Sequence, residues 1–470
     1  MRLIISHLLT ILGFLLAIIL IARLMRDNRH PGSTMAWLMA IILIPYIGIP
    51  FYFLFGGSKV KFLINKKSVI YSSQPNDDLL KKEYVYDTEK ILVKGGAAPA
   101  VDGNHIEYLP NGEIAYARII KMLEESENSI DITAFILGND EVGKSIVDIL
   151  VKKALDGVKV RLILDSLGCL RTKGEFVDPL RNAGGRIGIF MPMLPFHKKW
   201  SAHLRNHRKI IIIDNHVAIM GGMNFASKYM GPYPDKTRWR DFDILIKGPI
   251  ILEFGKIFSA DWHFCTGGEY KNSCWDPDHY SPCPSHQSVI AQVAASGPDI
   301  PDNPLTDAIL TALLEAKERV WIISPYFIPD EPLLKTLALL ARWGRDIRLI
   351  IPARSNHVLA DLARGSYLRT LLANEVKIHF YDAGMLHSKI ILIDNSIGIV
   401  GSVNMDIRSL YLNYEVALFI YSASQVDAIA QIIQSDILPN THIMQRKKAS
   451  LRKTIKEYIE DISRLLSPFI

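Results

Sequence analysis

The segment His207-Arg208-Lys209-Ile210-Ile211-Ile212-Ile213-Asp214 returns as His387-Ser388-Lys389-Ile390-Ile391-Leu392-Ile393-Asp394, with every position displaced by 180. Six residues separate each Asp from a second shared element, Gly221-Gly222-Met223-Asn224 in the first copy and Gly401-Ser402-Val403-Asn404 in the second. A repeat kept for structure alone needs apolar residues and glycines; it has no use for a matched His, Lys and Asn. The chain is therefore read as two copies of one unit, each supplying half of a polar site.

Strand geometry gives the pattern a physical meaning. Alternation of side chains places His207 and Lys209 on one face of a strand, and His387 and Lys389 likewise. The four aliphatic residues after each Lys read as a buried strand, which puts the polar pair at its opening end. The glycines mark a close backbone approach near Asn224 and Asn404. Brought together, the two ends offer two imidazoles, two ammonium groups and two carboxamides. That set suits a phosphate diester: one imidazole attacks phosphorus, the other protonates the leaving oxygen, and Lys and Asn hold the developing negative charge. The ammonium groups supply the positive charge a metal would bring, so no cofactor is expected.

These residues resemble the signature of the phospholipase D superfamily: His-x-Lys, four residues, Asp, six residues, then Gly-Gly or Gly-Ser, one residue, Asn. Both copies match it in full. The resemblance implies an acidic residue past each Asn that orients a catalytic imidazole, and the chain offers Asp241 and Glu415. It also implies that the N-terminal histidine, His207, is the nucleophile and His387 the proton donor. Asp214 and Asp394 are grouped with the catalytic set because the signature contains them; holding the Lys and the strand geometry is the role open to them.

Residues of about 3–22 and 35–55 form two nearly uncharged runs, each long enough to cross a bilayer core of roughly 30 Å. A two-helix transmembrane hairpin over residues 1–58 is the reading, since the first run is long for a signal peptide and no small-x-small cleavage site follows. A hairpin returns the chain to the side it left. Arg2, Lys59, Lys61, Lys66 and Lys67 outnumber Arg23, Arg26 and Arg29, which points to a cytoplasmic catalytic region. Sparse cysteines agree: Cys169, Cys265, Cys274 and Cys283 are the four present. Three of them lie near His263, His279 and His286, but their spacing fits no common zinc pattern. Around the hairpin, Met35-Ala36-Trp37, Pro45, Gly48 and Phe55-Gly56 are similar to the N-terminal segment of bacterial cardiolipin synthases of the phospholipase D type. Pro325-Tyr326-Phe327-Ile328-Pro329 and Asp406-Ile407-Arg408-Ser409-Leu410 share that likeness.

Between these landmarks the pattern predicts an α/β fold of two tandem halves related by a pseudo-two-fold axis, with the site at the seam. Residues 59–104 read as a connecting segment, 105–265 as the first half, 266–304 as a linker rich in Pro, Ser, Asp and Gly, and 305–470 as the second half. Each half is expected to carry a mostly parallel sheet, with helices near Val142–Leu155 and Glu331–Arg342 closed by Gly157 and Gly344. His197-Lys198-Lys199-Trp200 is a candidate headgroup contact. Leu451, Ile455, Tyr458, Ile459 and Ile462, following Arg446, Lys447 and Lys448, predict an amphipathic C-terminal helix that lies at a membrane interface or packs on the domain. The net charge of +6 fits an anionic surface or nucleic acid alike. The hairpin decides between them: phosphatidylglycerol and anionic membrane lipid are the expected partners, nucleic acid is not, and the setting is the bacterial inner membrane. The resemblance implies phosphatidyl transfer between two phosphatidylglycerol molecules through a phosphohistidine. A hydrolase that passes the group to water, or a phosphatidylserine synthase, would use the same signature.

Overall fold

The computed structural model describes residues 86–192, 204–267, 288–445 and 451–464, together with Lys67, Ile70 and parts of 16–22 and 31–52. Most of the first expected span, the basic stretch at 197–200, and Cys274, Cys283, His279 and His286 lie outside the described residues. Within the N-terminal part, a helix runs over Pro31–Leu43, and Leu20 packs against Ile41 and Tyr52. No described helix is long and apolar enough to cross a membrane.

One 15-stranded sheet runs through both halves. Its centre is the antiparallel pairing of Val101–Leu109 with Val289–Ser296, where Val101 faces Ala291. Outward from that seam, the first half continues through Asp243–Lys247, Val217–Gly221, Ile210–Ile213, Ser129–Ala134, Lys159–Asp165 and Arg186–Phe190. The second half mirrors it through Glu415–Ile420, Ile397–Gly401, Ile390–Ile393, Arg319–Ile323, Asp346–Pro352 and Lys377–Tyr381, with Thr441–Ile443 added at the edge. Each repeated aliphatic run is thus an inner strand, buried at all four positions.

Helices on both faces cover these apolar strands. Glu141–Leu155 starts at Asp140, whose carboxylate accepts the Gly143 N–H at 3.0 Å, and Glu331–Arg342 starts at Asp330, which accepts from Leu333 at 3.0 Å. Gly157 and Gly344 follow these helices with φ of 92° and 86°, a left-handed conformation that glycine adopts without strain.

Three expectations are corrected. The sheet is mixed: only the outer strands of each half pair in parallel, and the signature strands are antiparallel to both neighbours. The segment expected to be a linker contains Val289–Ser296, a central strand; its Val, Ala and Ser residues were outvoted by the Pro and Gly around them. The connecting segment is also more structured than expected, since Asp87–Lys94 is a helix with Leu92 and Val93 buried.

Lys67 is the fourth correction. Counted in the sequence as a juxtamembrane charge, it is buried, with Nζ 2.8 Å from Asp261 and 2.9 Å from Asp299. Asp261 also receives Arg208 at 2.8 Å and the Asn206 amide at 2.8 Å. Lys67 thus serves the catalytic region as a buried cation, and Arg2, Lys59, Lys61 and Lys66 are the charges left to flank the hairpin on that side.

Candidate active site

The antiparallel ladder begins at Ile210, and the residues before it turn toward the other half. His207 N–H donates to the Tyr414 carbonyl at 2.9 Å, and Tyr414 N–H donates back to Arg205 at 2.9 Å. The same exchange recurs in the second copy: His387 N–H to Arg240 at 2.7 Å and Arg240 N–H to Met385 at 2.8 Å. Each histidine therefore lies beside the residue that precedes the acid of the opposite half. Consequently the carboxylates are exchanged. Glu415 Oε2 lies 3.0 Å from His207 Nδ1, and Asp241 Oδ2 lies 2.6 Å from His387 Nδ1. A carboxylate on Nδ1 fixes that proton and leaves Nε2 for chemistry.

Alternation places the residue between His and Lys on the opposite face. Arg208 projects into the buried ion cluster, and its Nε donates to the Glu415 carbonyl at 3.0 Å. The first copy is thereby tied to the strand that delivers its own orienting acid.

Both lysines are buried beside their histidines. Lys209 Nζ donates to the His207 carbonyl at 2.6 Å, and Lys389 Nζ lies 2.7 Å from His387 Nδ1. Burial pushes Lys209 down to about 7 and Lys389 down to about 8, against the pull of Glu415 and Asp241. Burial, then the Lys389 charge, holds His387 down at about 3, and burial lowers His207 as well. Burial would raise Glu415, but His207, Lys209 and the Ser402 hydroxyl outweigh it and hold the carboxyl below its usual range.

Asn224 spends its Oδ1 on the Ile136 N–H at 3.2 Å, which leaves its amino group for the Tyr229 hydroxyl and the site. Asn404 donates to Asp406, and its buried Oδ1 has no partner among the described residues. The glycines act by proximity: a Cβ on Gly222 would sit 2.2 Å from Asp241 Oδ1, so only glycine lets that carboxylate reach His387.

Asp214 and Asp394 are separated from this chemistry. They end the aliphatic strands, on the order of 20 Å along the chain from the histidines. Asp214 accepts N–H groups of Glu127, Asn128 and Ser129 at 2.8, 2.6 and 2.7 Å. Asp394 does the same with Lys317, Glu318 and Arg319 at 2.9, 2.8 and 2.9 Å. These contacts fit the strand-holding role that the sequence leaves open to both residues. Asp214→Ala or Asp394→Ala should cost about 1–3 kcal/mol of stability while the folded enzyme keeps kcat within about twofold; paired thermal melts and kinetics would check this.

Sequence reading missed the aromatic shell. Phe135 meets the His207 ring edge-on at 4.7 Å, and Tyr229 meets His387 at 5.1 Å with Trp239 at 5.4 Å. Tyr229 follows Asn224 by five residues and carries no signal of its own. Asp243 was also missed. It is buried two residues beyond Asp241, accepts the Met223 N–H at 3.0 Å, and is pushed up to about 8 by burial and by Asp241. Its counterpart in the second copy is Ala417, which breaks the two-fold.

Two copies of a His and Lys placed just ahead of a buried strand, each imidazole oriented by an acid from the other half, define a phospholipase D-type phosphoryl-transfer site. Comparison with known proteins narrows the class. The family described as "Cardiolipin synthase, PLD-like domain" matches residues 119–262 and 309–437, and the family "Phospholipase_D-nuclease N-terminal" matches residues 15–57. Cardiolipin synthase 1 of Bacillus anthracis is 32% identical over 468 residues, covering 94% of this chain and 90% of that protein. The cardiolipin synthase of Alkalihalophilus pseudofirmus is 33% identical over 457 residues, with coverage of 94% and 90%. Among solved structures, the phosphatidylserine synthase of Haemophilus influenzae superposes with a TM-score of 0.57 at 15% identity, covering 78% of this chain and 93% of that one, a likeness of fold. The chain belongs to the cardiolipin synthase family of phospholipase D-type phosphatidyltransferases.

Proposed function

We propose that the protein joins two phosphatidylglycerol molecules into cardiolipin and glycerol at the inner face of the bacterial membrane, held there by the N-terminal hairpin. The observation that carries this reading is the exchanged pair of carboxylate-imidazole contacts, which equips one site with two oriented Nε2 atoms.

In the first step His207 Nε2 forms a bond to phosphorus of the donor, the bond from phosphorus to the glycerol oxygen breaks, and His387 gives that oxygen its proton. Free His387 is held neutral by burial and Lys389. The diester's negative charge beside the two ammonium groups cancels that repulsion, so the ring takes up its proton with the substrate. In the second step neutral His387 removes the proton from the terminal hydroxyl of a second phosphatidylglycerol. That oxygen bonds to phosphorus, the bond to His207 breaks, and cardiolipin leaves. Lys209, Lys389 and the Asn224 amide offset the charge on the five-coordinate phosphorus. Asn404 acts in the same role once its amide turns from Asp406.

The test is product analysis of the purified full chain with labelled phosphatidylglycerol in mixed micelles. Cardiolipin with an equal yield of glycerol supports the reading. Phosphatidic acid as the main product replaces the lipid acceptor by water and refutes it.

The alkaline limb of kcat/KM provides a further check. A lysine loses its charge as pH rises through its folded value, so phosphate capture should weaken across about pH 7 to 8. A kcat/KM that stays flat to about pH 9 would remove the ammonium groups from phosphate binding.

A further inference from the structure

The C-terminal helix Leu451–Arg464 packs the wrong way round for a soluble protein. An amphipathic helix on a globular domain turns its apolar stripe inward. Here Glu460 and Ser463 are 7% exposed, whereas Ile455, Tyr458, Ile459 and Ile462 are 47–66% exposed. These four recur at i, i+3, i+4 and i+7, one continuous face.

Polar contacts hold the helix in this orientation. It lies along the helix Val358–Ala373, where Arg369 pairs with Glu460 and donates to Asp461 at 2.6 Å. Arg464 donates to Ser366 Oγ at 3.5 Å and lies over the Tyr367 ring, 6.0 Å from its centroid. Gly365 sits against the Glu460 carboxylate, where a Cβ would approach within 2.2 Å. The charged face is therefore the docked face.

The helix beneath this one begins close to the site. Arg464 reaches Ser366, midway along the partner helix, whose first residues, Val358 and Leu359, are also exposed apolar side chains. Two residues earlier, Asn356 Oδ1 accepts the Tyr326 hydroxyl at 2.6 Å. Tyr326 precedes the short strand Phe327–Ile328, which pairs with Met405–Asp406 directly after Asn404.

We propose that Ile455, Tyr458, Ile459 and Ile462, together with the exposed Val358 and Leu359 of the partner helix, form a surface that lies in the interface of an anionic bilayer and holds the active site at the headgroup layer. Charge complementarity selects this occupant. In the sequence Arg446, Lys447, Lys448, Arg452 and Lys453 run just ahead of the apolar positions, and a polybasic stretch joined to an apolar helical face is the pairing that binds anionic lipid. The surface rests on the reading of the substrate as a membrane lipid.

A photoreactive benzophenone side chain placed at position 459 of the full chain, in phosphatidylglycerol vesicles, reads the occupant directly. Lipid adducts at 459, with none at the more exposed Leu155 position, support the proposal. Crosslinks to a second copy, crosslinks to another segment of the same chain, or no adduct each overturn it. Kinetically, Ile459→Ser with Ile462→Ser should lower turnover on vesicles by about tenfold and leave turnover of monomeric short-chain phosphatidylglycerol within about twofold. Equal loss on both substrates means a structural role and refutes the surface. A chain that gives lipid adducts but makes no cardiolipin would sink the enzymatic reading and leave the surface standing.

Discussion

His207→Ala removes transfer to every acceptor, with an expected loss of about 10⁴-fold or more, because both the attack and the covalent intermediate depend on its Nε2. His387→Ala should lose comparably on phosphatidylglycerol, whose glycerol alkoxide leaves poorly without a proton. The two variants part company on a donor with an activated leaving group, such as a nitrophenyl phosphatidyl ester. That group departs unaided, so His387→Ala should show a burst of nitrophenol with labelled lipid bound to the protein, whereas His207→Ala should show neither. A burst from His207→Ala and none from His387→Ala would invert the roles.

The exchanged carboxylates give the second large effect, and it crosses between halves. Glu415→Gln should cost about 10³-fold to 10⁴-fold in kcat by releasing the Nδ1 proton of His207, although Glu415 belongs to the second half. Asp241→Asn should cost a similar factor through His387. The activated donor separates them again. It should restore a burst to Asp241→Asn and leave Glu415→Gln slow. If instead each variant behaved like a lesion of the histidine in its own half, the exchange would be refuted. Burial of both acids makes the amide the appropriate replacement, since it preserves volume where alanine would leave a cavity.

Much of this was legible before any coordinates. His207, Lys209, His387 and Lys389 declared themselves because their spacing obeys strand periodicity twice, and the aliphatic runs after them could be little else than buried strands. Asp241 and Glu415 came from family likeness, but their exchange did not, because sequence order carries no record of which half a side chain reaches into. The mixed pairing of the sheet was hidden for a similar reason: an aliphatic strand buried on both faces reads the same in parallel and antiparallel company. Val289–Ser296 was lost in its neighbours' composition, and Lys67 was counted with the membrane flank because local charge does not reveal a partner such as Asp261 nearly two hundred residues away. Tyr229 and Phe135 earned no notice because an aromatic residue near a polar motif is usually core.

The buried cluster of Lys67, Asp261, Arg208 and Asp299 has a bearing on how the catalytic region can be handled. A soluble fragment cut just after the hairpin but beyond residue 67 would leave Asp299 without the cation it holds and Asp261 with Arg208 as its remaining cation, against the strand that follows His207. Crystallisation fragments, fusion junctions and protease sites should accordingly fall before that lysine, since the boundary of the working enzyme lies inside what looks in the sequence like a tether.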